Sequence, residues 1–314
     1  MLEEEFFLTI ADSPELRRWS PEAVANAARQ RVPDIMLGSS RDVLLADVNR
    51  QWAGWFIESF GDPRRYVAYA DGYPEIYEDV YKNVRERLGS WAEPDRRQLA
   101  RAVARNIHGR VKREQDKARR VAEDSDTKQL LLDLAGSPPR CWVCGITFED
   151  AAIESFRFGK KFSSCSPPFV DILKPHGLHP SDKMIEIDHL EPYHEGGSRD
   201  DNLALACGFC NRYKGGYSSI YDVPGRVRNL KKNIVGVSSL PQPFWVIRYL
   251  ALIGECQHKD GCDANKYNSP LTVAPISDTG ALNPQNLRVT CYRHDPIRNY
   301  RYISYREARE VWGY

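Results

Sequence analysis

Four cysteines constrain this chain more than any other feature. They come as two pairs, Cys141-x2-Cys144 and Cys207-x2-Cys210. Each CxxC turn aims two thiolates at one point, and two such turns together make a tetrahedral zinc site. Both ends of the 141–210 segment must therefore meet in the fold. Four thiolates leave no open position for water or substrate, so this zinc is expected to be structural. Cysteines serve metals before disulfides in a reducing compartment, and nothing here reads as secretory. The start, "MLEEEFFLTI", is acidic with a short apolar piece, unlike a signal peptide. No apolar run approaches the roughly 18 residues of a membrane span. These readings place the protein in the cytoplasm, with no membrane partner.

The segment between the pairs holds "MIEIDHLEPYHEGGSRDDNLALACGFCN". "MIEIDHL" alternates apolar and polar residues and predicts a strand; "NLALAC" predicts a second, and a helix is expected to start near Cys210. Gly196-Gly197 marks the turn or loop between them. Zinc would pin both ends of this strand-loop-strand-helix unit, and an Asp-His pair, Asp188-His189, ends its first strand.

Asp188-His189, Asn202 and Asn211, set between two CxxC pairs, resemble the HNH endonuclease family with its ββα-metal fold. The resemblance covers about residues 141–216. Its last motif position is Asn211 where many members have His, an HNN form that also occurs in active enzymes. It implies that His189 is the general base, that Asp188 and Asn211 bind a catalytic Mg2+ or Mn2+, and that Asn202 braces the loop that orients His189. It implies, less directly, that Arg212 or Lys214 holds a phosphate. The chemistry agrees. Phosphodiester cleavage needs an activated water and charge stabilisation at the phosphate. A neutral imidazole accepts the water's proton near neutral pH, and a hard cation takes carboxylate and amide oxygens. Glu191 and His194 lie near this site in sequence; a solvated loop is the expected place for His194. Cys165 has no partner at ligand spacing and is assigned no role.

The chain has 44 basic and 43 acidic residues in 314, so overall charge selects no partner and any basic surface must be local. The first third reads as helical. Ser20 caps "PEAVANAARQRV". "SSRDVLLADVNRQWAGWFIESF" carries Leu44, Val48, Trp52 and Phe56 at spacing four. "EPDRRQLARAVARNIHGRVKREQDKARRVAE" carries an apolar stripe, Leu99, Val103, Ile107 and Val111, on an otherwise basic helix. Between Arg96 and Arg120 it has ten Lys/Arg against Glu114 and Asp116. Such a row is either a solvated face or a phosphate-binding one; Arg101, Arg105 and Lys112 are its candidate DNA contacts. "LAGSPPR" breaks the helical pattern at 134–140. "FRFGKKFSSC", in the long insertion after Cys144, offers an aromatic-basic patch that suits either nucleic acid or packing over the zinc. "GRVRNLKKN" reads as a basic connector.

A second cluster, Cys256-x5-Cys262 and Cys291-x2-His294, has the types of a Cys3His zinc site, with His258 as a competing ligand to Cys256. "PQNLRVTCYRHD" echoes "DDNLALACGFCN", and Ala274-Pro275 aligns with the Asp-His pair. This reads as an internal repeat that keeps a metal site and has lost its catalytic pair.

The expected architecture is α+β: a helical domain over 1–136, possessing a DNA-binding face; a zinc-pinned ββα nuclease module over 137–222; and a zinc-binding module over 223–314 that contacts DNA or a second subunit, as in a homodimer. The expected activity is metal-dependent cleavage of double-stranded DNA in restriction or phage defence. Two rivals stay open: a zinc-dependent DNA-binding protein without activity, and a nuclease for RNA or single-stranded DNA.

Overall fold

The computed structural model describes residues 2–18, 20–68, 72–117, 124–162, 165–190, 202–234 and 236–313. Glu191, His194, Gly196, Gly197, Arg119 and Arg120 lie outside them. Two compact units divide after Asp47.

The first unit holds α1 (Leu2–Ile10), α2 (Pro14–Arg17), α3 (Pro21–Ala27), α4 (Asp34–Leu37) and the start of α5 (Arg41–Glu58). Ser20 caps α3 as its sequence predicts: its hydroxyl accepts from Ala23 N, and Pro21 follows as the first helical residue. The second unit continues with α6 (Tyr73–Arg87), α7 (Glu93–Lys117), α8 (Ser125–Leu134), α9 (Asp150–Phe158), β1 (Phe169–Asp171), β2 (Ile185–His189), β3 (Leu203–Cys207) and α10 (Gly208–Lys214). It closes with β4 (Arg228–Ile234), β5 (Val237–Leu240), α11 (Pro243–Ile253), β6 (Leu271–Pro275), β7 (Leu287–Cys291), β8 (Tyr302–Ser304) and α12 (Tyr305–Trp312). No described helix is long and apolar enough to cross a membrane.

Helices α6 and α7 share one core. Ile76, Val80 and Val84 recur every four residues and pack with Ala100, Val103, Ala104, Ile107 and Val111. The α7 stripe thus faces inward, which leaves Arg101 and Arg105 on its exposed side. The α5 stripe behaves otherwise: Leu44 is buried, yet Trp52 and Phe56 are 64% and 44% exposed. Regular spacing states which residues share a face, not that the face is covered. The expected connector at 225–233 instead runs into a hairpin, since β4 pairs antiparallel with β5. Alternation is weak in "RNLKKNI", which hid the strand from its sequence.

The two Cys-rich regions pack around α11, which is apolar nearly all round and correspondingly buried, with Phe244, Trp245, Val246, Ile247, Tyr249 and Leu250 inside. Trp245 Nε1 donates to Ile220 O and Tyr249 Oη to Pro284 O. The middle and C-terminal regions are joined further. Leu271 N donates to Cys144 O at 2.8 Å, and β1 pairs with β8, from Phe169 opposite Ser304 to Asp171 opposite Tyr302.

The two ligand-bearing hairpins have one register. In the first, Ile185 pairs with Cys207 and His189 with Leu203. In the second, Leu271 pairs with Cys291 and Pro275 with Leu287. The first ligand turns attach alike: Trp142 N donates to Leu205 O and Gln257 N to Val289 O. Cys141 N donates to Ile146 O and Cys256 N to Ala264 O, each at 2.9 Å. Cys141, Cys144, Cys207 and Cys210 therefore correspond in place to Cys256, Cys262, Cys291 and His294.

Candidate active site

The hairpin β2–β3 and the helix α10 follow from simple local rules. Strand β2 alternates, so Glu186 and Asp188 share a face about 6.7 Å apart along the strand. Asn211 and Lys214 are three residues apart on α10, roughly one turn. The two spacings match closely enough for paired contacts. Asn211 Nδ2 donates to Glu186 Oε2, and Lys214 Nζ donates to Asp188 Oδ1 at 2.8 Å. Gly208 lets the start of α10 pass close to the turn before β2: a Cβ there would lie 2.0 Å from Ser181 O.

The four sulfurs of Cys141, Cys144, Cys207 and Cys210 lie within 4.8 Å of one another, and all four residues are buried. A tetrahedral zinc with Zn–S near 2.3 Å needs S–S edges of about 3.8 Å, so the set fits zinc. Gly145 closes the first turn at φ +69°, its N–H donating to Cys141 O; a side chain there would strike Ser269 O and Lys266. The buried Lys174 ammonium donates to Leu271 O at 2.9 Å. Burial opposes its charge, but the thiolates of Cys144 and Cys210 and the Asp171 carboxylate outweigh that, and its pKa rises. A cation beside the four sulfurs would offset part of the charge they carry when they hold a metal.

Asp188 is 5% exposed. Its Oδ2 accepts from Trp142 Nε1 at 2.9 Å, so the residue inside the first CxxC turn holds the carboxylate on the neighbouring strand. Lys214 also donates to the backbone oxygen of His189. Its ammonium, like that of Lys266, lies about 5.5 Å from the Trp142 ring centre (5.5 and 5.4 Å). His189 ends β2, half-buried. Asn202 is buried where the chain enters β3, and its carbonyl accepts from Leu190 N at 2.8 Å. Arg212 pairs with the buried carboxylate of Asp182. Asp182 also accepts from Gly177 N and His179 N, which ties α10 to the turn before β2. Burial pushes the Glu186 carboxyl above its ordinary range; the Asn211 hydrogen bond works the other way.

Asp188, His189, Asn202 and Asn211 thus lie on or beside one hairpin and the helix that follows it, both next to the Cys141–Cys210 cluster. Glu186 and Asp188 sit two residues apart on one strand, and each meets its own partner on α10, Asn211 and Lys214. Sequence reasoning passed over Glu186 and Trp142. Strand alternation already put Glu186 beside Asp188, and that was the available signal; nothing in a CxxC turn marks its inner residue. Lys214 is turned inward and buried, whereas Arg101 and Arg105 on α7 are exposed. The patch at Phe158 is exposed, with Arg157 and Lys160 near its ring, and Cys165 is an exposed free thiol.

Residues 165–216 match the HNH endonuclease family model. The matched HNH segment holds β2, β3 and α10 with Asp188, His189, Asn202 and Asn211. No curated protein and no solved structure matches the chain. An HNH match supports nuclease activity in general and a nucleic-acid substrate.

The second cluster brings together Cys256, Cys262, Cys291 and His294, with ligand atoms within 4.8 Å of one another. Cys262 Sγ lies 3.9 Å from Cys291 Sγ, and His294 Nδ1 lies 3.6 Å from both Cys256 Sγ and Cys291 Sγ. These are tetrahedral edge lengths for zinc, and the set fits it. His258 stacks on the His294 ring at 3.8 Å between centres and is not in the ligand group. Ala274 and Pro275 stand at the register positions of Asp188 and His189. Asp295, the counterpart of Asn211, is buried against Arg301. The Arg301 guanidinium is 1% exposed and also donates to Asp171 Oδ1 (2.8 Å), Thr272 Oγ1 (3.0 Å) and Val273 O (2.6 Å).

Proposed function

We propose that this chain is a metal-dependent endonuclease that hydrolyses phosphodiester bonds in double-stranded DNA. The observation that carries this reading is the placement of Asp188-His189 and Asn211 on one zinc-ligand ββα unit inside the HNH match. His189 takes the proton of the attacking water. Asp188 and Asn211 offer carboxylate and amide oxygens of the kind that hold Mg2+ or Mn2+. When bound, that cation supplies charge stabilisation at the scissile phosphate. Trp142 and Lys214 fix Asp188 in place, and Asn202 anchors the chain just beyond His189 through Leu190. Lys214 thereby orients a carboxylate rather than gripping a phosphate. Arg212 is likewise engaged, with the buried Asp182 carboxylate, so phosphate binding falls to Arg101, Arg105 and Lys112 on α7. Each Cys-rich cluster holds a structural zinc.

A small cutting unit set between a helical region (1–136) and a C-terminal module (223–314) suits an enzyme whose flanks read sequence or modification. Restriction or phage defence is the role such an enzyme would serve. The test is incubation of the full chain with plasmid, modified phage DNA and RNA in Mg2+, Mn2+ or EDTA. DNA cut with either metal and spared in EDTA is expected. Cutting of RNA alone, or cutting in EDTA, would overturn the proposal.

A further inference from the structure

Asn211 can present either end of its amide to a cation, and only the oxygen binds one. Something must choose the orientation. A carboxylate beside the amide does so, because it accepts hydrogen bonds and donates none. Glu186 occupies that place: its Oε2 takes the Asn211 Nδ2–H. The bond leaves the amide oxygen as the end available to a cation.

The second hairpin provides an internal comparison. Glu186 pairs with Ala206, and Thr272 holds the same register place opposite Thr290. Asn211 and Asp295 each directly follow the last zinc-ligand candidate. There the two residues converge on a cation that the chain itself supplies: Arg301 donates to both Thr272 and Asp295. An Asp has two equivalent oxygens and needs no orienting partner, and its strand neighbour is a hydroxyl, not an acid. An Asn needs one, and its neighbour is Glu186. In the second hairpin the pair's oxygens face a guanidinium; in the first, the carboxylate takes the donor end of the amide.

We infer that Glu186 is a positioning residue, which locks the Asn211 amide with its oxygen toward the divalent cation of the proposed nuclease site. The inference rests on that nuclease reading. Neighbours that orient a metal ligand typically change metal affinity by roughly 10- to 100-fold when removed.

The test uses the full chain with its zinc retained, and follows Mn2+ binding by electron paramagnetic resonance alongside DNA cutting. Glu186→Ala is expected to weaken Mn2+ binding by roughly 10-fold or more with zinc content unchanged. Glu186→Ala combined with Asn211→Asp is expected to recover Mn2+ affinity to within a few-fold of wild type, since either carboxylate oxygen then serves. Recovery separates orientation from a general loss of structure. Wild-type Mn2+ affinity in Glu186→Ala, or no recovery in the double variant, would overturn the inference. A chain that cuts DNA but shows unchanged Mn2+ affinity in Glu186→Ala would sink this inference alone. A chain that shows the Mn2+ loss and recovery but cuts nothing would uphold it and sink the nuclease reading.

Discussion

Hairpins β2–β3 and β6–β7 share a register and a ligand layout, yet one ends in Asp188-His189 and the other in Ala274-Pro275. The difference extends to what fills the space beside the strands. In the first, Lys214 and Trp142 hold the Asp188 carboxylate, and Glu186 accepts from the Asn211 amide nitrogen. In the second, the Arg301 guanidinium fills the corresponding place and uses its hydrogen-bonding capacity on Asp171, Thr272, Val273 and Asp295. The comparison teaches that one ligand scaffold carries two polar arrangements: Asp188 held by Lys214 and Trp142 in the first copy, and one guanidinium shared by Thr272 and Asp295 in the second. On the proposed function the first is the cutting copy and the second a structural one.

The ligand clusters give the largest expected effect. Structural zinc is worth about 10–16 kcal/mol of folding free energy in small zinc-finger peptides. Cys210→Ser is therefore expected to release one zinc and unfold the nuclease unit, and Cys291→Ser to release one zinc from the C-terminal module. Metal analysis of wild type should give two zinc ions, one for each cluster. One zinc in wild type, with Cys291→Ser folding normally, would remove the second half of the comparison.

Arg301→Met comes next. It strands the buried carboxylates of Asp171 and Asp295. Breaking a buried ion pair from one side costs about 3–5 kcal/mol, which urea unfolding should report. A variant as stable as wild type would show that Arg301 is not what fills the second copy.

Trp142→Phe keeps an aromatic ring and removes the Nε1 donor to Asp188. Cutting is expected to fall roughly 10- to 100-fold with zinc retained. Gln257→Leu, at the matching place in the second copy, should leave cutting unaltered. Equal effects of the two would erase the distinction between the copies. The smallest effect belongs to the α7 face. Replacing Arg101, Arg105 and Lys112 with Gln should lower the salt slope of DNA binding by about one for each phosphate no longer neutralised. An unchanged slope would make that face merely solvated.

Much of this was legible in the sequence because local rules govern it. CxxC spacing, strand alternation and the repeated "NL" before each second ligand pair led to the hairpins and to the alignment of Ala274-Pro275 with Asp188-His189, which the strand register matches. Pairings set by the tertiary fold were not legible. Arg301 meets Asp171 across 130 residues, and Trp142 meets Asp188 across 46. Strands β1 and β8 are three residues each, too short to show a period. Trp52 and Phe56 have helical spacing but stay exposed, since coverage depends on neighbours a helix cannot specify.

The most direct test of one cutting copy and one structural copy changes the register-matched residues in parallel. Wild type, His189→Ala and Pro275→Ala are assayed on the same DNA with Mg2+, and zinc is measured on each sample. The account predicts equal zinc in all three, cutting by wild type and Pro275→Ala, and a loss of roughly 100- to 10,000-fold in His189→Ala, the cost of removing a general base. Cutting by His189→Ala within a few-fold of wild type, or a comparable loss in Pro275→Ala, would contradict it.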